Sequence, residues 1–296
     1  MAGFQEKWQI IVDRKNSVLC AGLDPTEFKM GNDYHCMPVS ANKHDYALKY
    51  IESVAPYAAA LKFNLNFWKK ENDGKTLTEI IELAHSLDML VIEDCKLSDI
   101  GSTNEACMKA ASEKKIDAVT YSPFAGNIQE AGEQAKKAKL GIIALCLMSN
   151  HEYAQQKNNL IPAIVDQPFY SCEDLTYINH VPHVKQYVAL ACRARINNID
   201  GIVVGAPSPQ NHITENEIAD IARFVRDDQV ILVPGIGAQS GEISLMYKYF
   251  APNQLIVNIG RSLMYPKGNH SSQNDQREAA NHFSSYLNQE RHHERV

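Results

Sequence analysis

The feature that most limits what this chain can become is a change of hydrophobic period that recurs eight times. Short runs rich in Val, Ile, Leu and Ala occupy 17–23, 58–64, 89–93, 118–121, 140–147, 201–205, 230–233 and 255–259. They are continuous rather than alternating, as strands of a parallel sheet covered by helices should be. Helical patterns lie between them at 77–87, 103–114, 128–138, 184–195, 215–225 and 240–249, and a last one at 275–289 follows the eighth run. Eight strand–helix repeats fit a closed (β/α)8 TIM barrel better than an open doubly wound sheet. At 296 residues the chain has an ordinary length for one such barrel and can bury a large core. The expectation is an α/β chain with one domain over 1–296, frayed at 290–296. Two connections are unusually long, 25–43 after the first strand and 150–182 after the fifth. Loops that follow barrel strands sit on the C-terminal face, where barrel enzymes place their sites, although most residues in such loops are surface decoration.

Composition narrows the function. The net charge is −6 and no basic patch stands out, so no nucleic-acid partner is expected. Seven cysteines are scattered without a CxxC pair. That fits a reducing compartment, with most of them small core residues, and gives no zinc site. The first residues mix charges into every turn, and no run of about eighteen apolar residues occurs. The chain is therefore expected to be cytoplasmic, with no membrane partner and no metal, and the sequence suggests no thiamine or pyridoxal electron sink, so no cofactor is expected.

Barrel strands should turn polar only where their C-terminal ends reach a site, and here several do. The first ends in Gly22-Leu23-Asp24-Pro25 and the second contains Lys62 and Asn64. The third ends in Glu93-Asp94-Cys95-Lys96-Leu97-Ser98-Asp99-Ile100, and the fifth at Met148-Ser149-Asn150. Alternation puts Asp94 and Lys96 on one face and Cys95 on the helix side, with Asp99 beyond the strand. An Asp-x-Lys-x-x-Asp string alone also fits a solvated charge cluster that caps a strand. At a barrel mouth, however, two carboxylates hold such a lysine charged, as a fixed cation and a proton donor.

The seventh strand ends in Pro234-Gly235-Ile236-Gly237-Ala238-Gln239 and the eighth in Asn258-Ile259-Gly260-Arg261-Ser262. Glycine-rich backbone offers free N–H groups to a phosphate, and a guanidinium grips it with two parallel hydrogen bonds. Barrels often bind phosphate with the loops after strands seven and eight. The plainer reading is that the glycines only make tight turns.

Taken together, these residues resemble the orotidine 5′-monophosphate decarboxylase family, over almost the whole chain from Gly22 to Arg261. The most specific piece is Asp94-x-Lys96-x-x-Asp99-Ile100 with Thr103 downstream, and the long loops look like the longer, bacterial-type branch. The resemblance implies an alternating network of Lys62, Asp94, Lys96 and Asp99 as the catalytic set. It implies that Asp99 and Thr103 reach the site of a neighbouring subunit in a homodimer. Asp24 and Lys62 would hold ribose hydroxyls, Ser149 the pyrimidine edge, and Gly237, Gln239, Gly260 and Arg261 the phosphate. The implied reaction is loss of carbon dioxide from orotidylate to give UMP, with Lys96 stabilising a carbanion-like transition state and then supplying a proton. Two other readings stay open. The related sugar-phosphate families, 3-keto-gulonate-6-phosphate decarboxylase and hexulose-phosphate synthase, share the Asp-x-Lys-x-x-Asp string but use magnesium. A non-catalytic nucleotide-binding barrel is the other.

Overall fold

A computed structural model describes residues 3–28, 35–38, 40–71, 73–164, 170–237 and 241–293. Chain order begins with α1 (Phe4–Lys15), β1 (Leu19–Gly22), α2 (Lys43–Val54), β2 (Ala60–Asn64), α3 (Asp73–Ser86), β3 (Leu90–Leu97), α4 (Gly101–Glu113), β4 (Ala118–Tyr121), α5 (Ile128–Ala138) and β5 (Gly141–Leu147). It continues with α6 (Tyr153–Gln156), β6 (Leu160–Pro162), β7 (Thr176–Ile178), β8 (Val181–Lys185), α7 (Gln186–Ile196), β9 (Gly201–Val204) and α8 (Glu215–Ala222). The chain finishes with β10 (Val230–Pro234), α9 (Ile243–Tyr249), β11 (Leu255–Ile259), α10 (Arg261–Met264) and α11 (Gln273–His293). Eight of these strands close a barrel in the order β1-β11-β10-β9-β5-β4-β3-β2, every adjacent pair parallel. The eight apolar runs and the (β/α)8 expectation correspond to this barrel.

Burial explains the period. β1, β4 and β9 are buried at every residue, which only a sheet covered on both faces produces. α1 crosses the N-terminal end of the barrel and buries Phe4, Trp8 and Val12. The Trp8 indole N–H also donates to the Asn253 carbonyl at 3.0 Å. Burying a side chain of this size contributes about 2 kcal/mol or more. α2 starts where Asn42 accepts hydrogen bonds from the N–H groups of His44 and Asp45, at 2.9 and 3.2 Å.

Three expectations need correction. The connection at 150–182 is not all irregular: β6, β8 and β7 form a small antiparallel sheet in that order. Its hairpin turns at Asn179 and His180, both left-handed with φ 48° and 65°, the geometry a two-residue turn requires. β8 runs through Val184, so α7 begins at Gln186 rather than at 184. The tail is helical through His293 instead of frayed from 290, because Arg291 is buried and bonds the Asn253 side chain. The cysteine expectation also holds only in part. Cys20, Cys146 and Cys192 are buried, Cys36 and Cys95 are half-buried, and Cys107 and Cys172 are exposed.

Candidate active site

The charged strand ends converge on the C-terminal mouth. Asp94 bridges two lysines: its Oδ2 lies 2.8 Å from Lys62 Nζ and its Oδ1 2.6 Å from Lys96 Nζ. Thr120, on the next strand, ties the cluster down. Its hydroxyl donates to Asp94 Oδ1 at 2.9 Å and accepts the Lys96 backbone N–H at 2.9 Å. Burial opposes charge on Asp94, but the two ammonium groups outweigh it and hold the carboxyl well below the usual carboxylate range. Burial likewise opposes charge on Lys62, yet Asp94 and Asp24 together raise its pKa above the ordinary lysine value. The two lysines differ in access. The Lys62 side chain is 7 % exposed and the Lys96 side chain 37 %, so Lys96 is the cation that reaches the mouth.

Simple strand alternation does not account for this geometry. Glu93 pairs with Val119 and Leu97 with Tyr121, so four steps along β3 match two along β4. The excess is a bulge, and Lys96 sits in it with left-handed backbone at φ 49°. A non-glycine residue there costs roughly 1 kcal/mol, which its neighbours must offset. Asp94 and Lys96 do converge, as expected, but through the bulge and Thr120. The Cys95 thiol turns outward towards the Thr120 carbonyl, 3.6 Å away.

Asp24 follows β1 and accepts the Asn64 backbone N–H at 2.8 Å, which joins the ends of β1 and β2. It lines a cavity of about 200 Å³ with Gly235, Gly237, Asn258, Gly260 and Arg261. Glycine is needed here for close approach. A Cβ on Gly22 would stand 2.8 Å from Gly260 Cα, and one on Gly237 would stand 2.7 Å from Ser262 Oγ. Gly235 has φ 96°, which a side chain would strain. Arg261 opens α10 and is exposed at the rim. Gln239 lies outside the described residues.

Ser149 follows β5 and packs against Gly205 at the end of β9, where a Cβ would meet its own at 2.9 Å. Its loop is fastened by a buried ion pair, Lys157 Nζ to Glu217 Oε1 at 2.6 Å, and Lys157 also donates to the His212 carbonyl at 2.5 Å. Sequence reading missed Lys157, Glu217 and Thr120. Thr120 alone left a signal, as a polar residue inside an apolar strand.

Asp99 and Thr103 do not join the cluster within one chain; both are exposed. The loop around Asp99 is nonetheless fixed, because its carbonyl accepts from Asn104 at 2.7 Å and from Asn127 at 3.1 Å. Beside it stand two exposed apolar side chains, Ile100 at 67 % and Phe124 at 92 %. A larger recess of about 550 Å³ opens at the opposite end of the barrel, near α1. Its Asp117 is already engaged by Lys7, His85 and the Val91 N–H. Among the described residues, no group of three or more His, Cys, Asp or Glu could hold a metal ion, and no helix is long and apolar enough to cross a membrane.

Residues 17–272 match the profile of the orotidine 5′-phosphate decarboxylase / HUMPS family. An orotidine 5′-phosphate decarboxylase of Cupriavidus taiwanensis is 30% identical over 275 residues, covering 88% of this chain and 89% of its own. One from Dehalococcoides mccartyi is 28% identical over 303 residues, covering 96% and 97%. In fold, the chain is similar to Leishmania donovani OMP decarboxylase, with a TM-score of 0.72, 22% identity, and 98% and 99% of the two chains covered.

Proposed function

The chain belongs to the orotidine 5′-phosphate decarboxylase / HUMPS family, and we propose that it converts orotidine 5′-monophosphate to UMP and carbon dioxide. The observation that carries this reading is the Asp94 carboxylate held between Lys62 and Lys96 at the mouth, next to a cavity rimmed by Gly237, Gly260 and Arg261.

Arg261 grips the 5′-phosphate with the backbone of Gly237 and Gly260 and with Gln239. Asp24 and Lys62 take ribose hydroxyls, and Ser149 meets the pyrimidine edge. C6 then lies by Lys96. As the C6–carboxylate bond breaks, carbon dioxide departs and the electron pair stays on C6, where the ring cannot readily delocalise it. The Lys96 ammonium, fixed beforehand by Asp94, stabilises that charge without reorganising. It then gives its proton to C6, which yields UMP, and regains one from water. Asp94 stays ionised beside the departing carboxylate, and Lys62 and Thr120 keep it in place. Phosphate contacts remote from C6 supply binding energy that orients the ring. No cofactor takes part in this reading, and a cytoplasmic location fits the seven unpaired cysteines.

The homodimer is part of the same reading. Asp99 and Thr103 are exposed beside Ile100 and Phe124, an apolar pair that a second copy would cover, so each chain would complete the other's site. Subunit exchange tests this. Asp99→Ala and Lys96→Ala proteins are each expected to be inactive. A mixed dimer would carry one site with both defects and one with neither, so activity returns on mixing. Confirmed exchange with no recovered activity would show that Asp99 acts within its own chain.

Turnover of orotidylate by the purified protein tests the assignment itself. The sugar-phosphate reading requires instead a magnesium-dependent reaction on a sugar phosphate, and the binding-module reading requires UMP affinity without turnover.

A further inference from the structure

Asn258 interrupts β11, whose other residues Leu255, Ile256, Val257 and Ile259 are all buried. Parallel register pairs it with Cys20 on β1 and with Pro234 on β10. Paired residues of adjacent strands point to the same face. Cys20 faces the barrel interior, fully buried within the fields of Lys62, Asp94 and Asp24. The Asn258 side chain is thus directed inward too, on the side of the charge network. It lines the cavity shared by Asp24, Gly237, Gly260 and Arg261.

The amide oxygen of Asn258 is buried and takes no hydrogen bond from any described residue. Folded proteins seldom leave such an acceptor without a donor, and one that faces a cavity is matched by a ligand or a water. Orotidylate offers few donors. Its phosphate is essentially acceptor-only at neutral pH, which leaves the ribose hydroxyls and the ring N–H. The ring edge is assigned to Ser149, on the β5 side, whereas Asn258 shares its cavity with Asp24 and Arg261.

We propose that Asn258 is a further substrate-binding residue, its Oδ1 accepting a hydrogen bond from a ribose hydroxyl, so that the site prefers ribonucleotides over their deoxy counterparts. This rests on the orotidylate reading of the site.

The test compares wild type with Asn258→Ala on three substrates: orotidylate, its 2′-deoxy form and its 3′-deoxy form. Dissociation constants for UMP and its two deoxy forms are measured beside the kinetics. The variant should lose roughly tenfold in kcat/KM for orotidylate and in affinity for UMP, the ordinary worth of one hydrogen bond. It should lose nothing on the deoxy compound that lacks the partner hydroxyl, which identifies that hydroxyl. Equal proportional losses on all three compounds, or no loss on any, would overturn the proposal; in the second case water alone satisfies Oδ1. Asn258→Ser, which keeps a shorter acceptor, serves if the alanine variant fails to fold, and should show a smaller loss with the same selectivity. A wild-type protein that leaves orotidylate unchanged defeats the decarboxylase reading alone, since the UMP series still decides the ribose contact.

Discussion

Lys96→Ala should lose at least about a thousandfold in kcat on orotidylate while the fold survives. The loss is large because one ammonium does two things. In the proposed mechanism it balances the charge that develops on C6 and supplies the proton that ends the reaction. The fold should survive because the Lys96 side chain is more than one-third exposed at the barrel mouth. Asp94 would keep Lys62 at 2.8 Å and the Thr120 hydroxyl at 2.9 Å, so no bare carboxylate is left buried. Alanine in place of Lys96 still has to accept left-handed backbone, a strain that the native lysine already bears. Steady-state kinetics and circular dichroism on the same preparation separate lost chemistry from lost structure. A folded variant with near-native kcat would remove Lys96 from the reaction.

Arg261→Ala should lower kcat/KM for orotidylate by about a hundred- to a thousandfold, the worth of two charge-assisted hydrogen bonds. The same change should barely alter the much slower reaction of orotidine, which has no phosphate. Lysine should not restore the loss, because a single ammonium cannot reproduce the planar fork. The contrast between substrates is the informative part. Arg261 stands at the rim of the cavity at the start of α10, where its loss leaves the barrel core untouched. A damaged site would slow both substrates alike. Equal proportional losses on the two would make Arg261 a structural residue of the rim.

The barrel was legible because its strands are buried on both faces, and that condition writes itself into sequence as uninterrupted apolar runs. The small sheet was not. β6 and β7 have three residues each, mostly exposed, and β8 contains Pro182, so none of them carries a period. The helical tail was missed for a related reason. What holds it is Arg291 against Asn253, a contact that no local pattern announces.

The site was legible as residue types at strand ends and illegible as geometry. Asp94 and Lys96 were paired by alternation, yet their convergence depends on a bulge, and a lysine with φ 49° gives no hint of one as glycine or asparagine would. Asp99 belongs to the same string of sequence, but the chain turns after Leu97 and leaves it on the exposed side of the loop. Thr120 and Asn258 were visible as polar interruptions of apolar strands. Their meaning needed the neighbouring strands, which bring Thr120 onto Asp94 and Asn258 level with Cys20. The Lys157–Glu217 pair could not be read at all, because it joins the loop after β5 to the first turn of α8 through side chains sixty positions apart.

The central claim is that protein charge and a lysine proton suffice for the reaction. It can be tested by incubating purified protein with orotidylate and EDTA in deuterium oxide, following the fall in absorbance and analysing the product. Orotidylate should disappear at an unchanged rate with or without EDTA, and the UMP formed should carry one deuterium at C6. Persistence of orotidylate, or turnover that EDTA abolishes and magnesium restores, would contradict it.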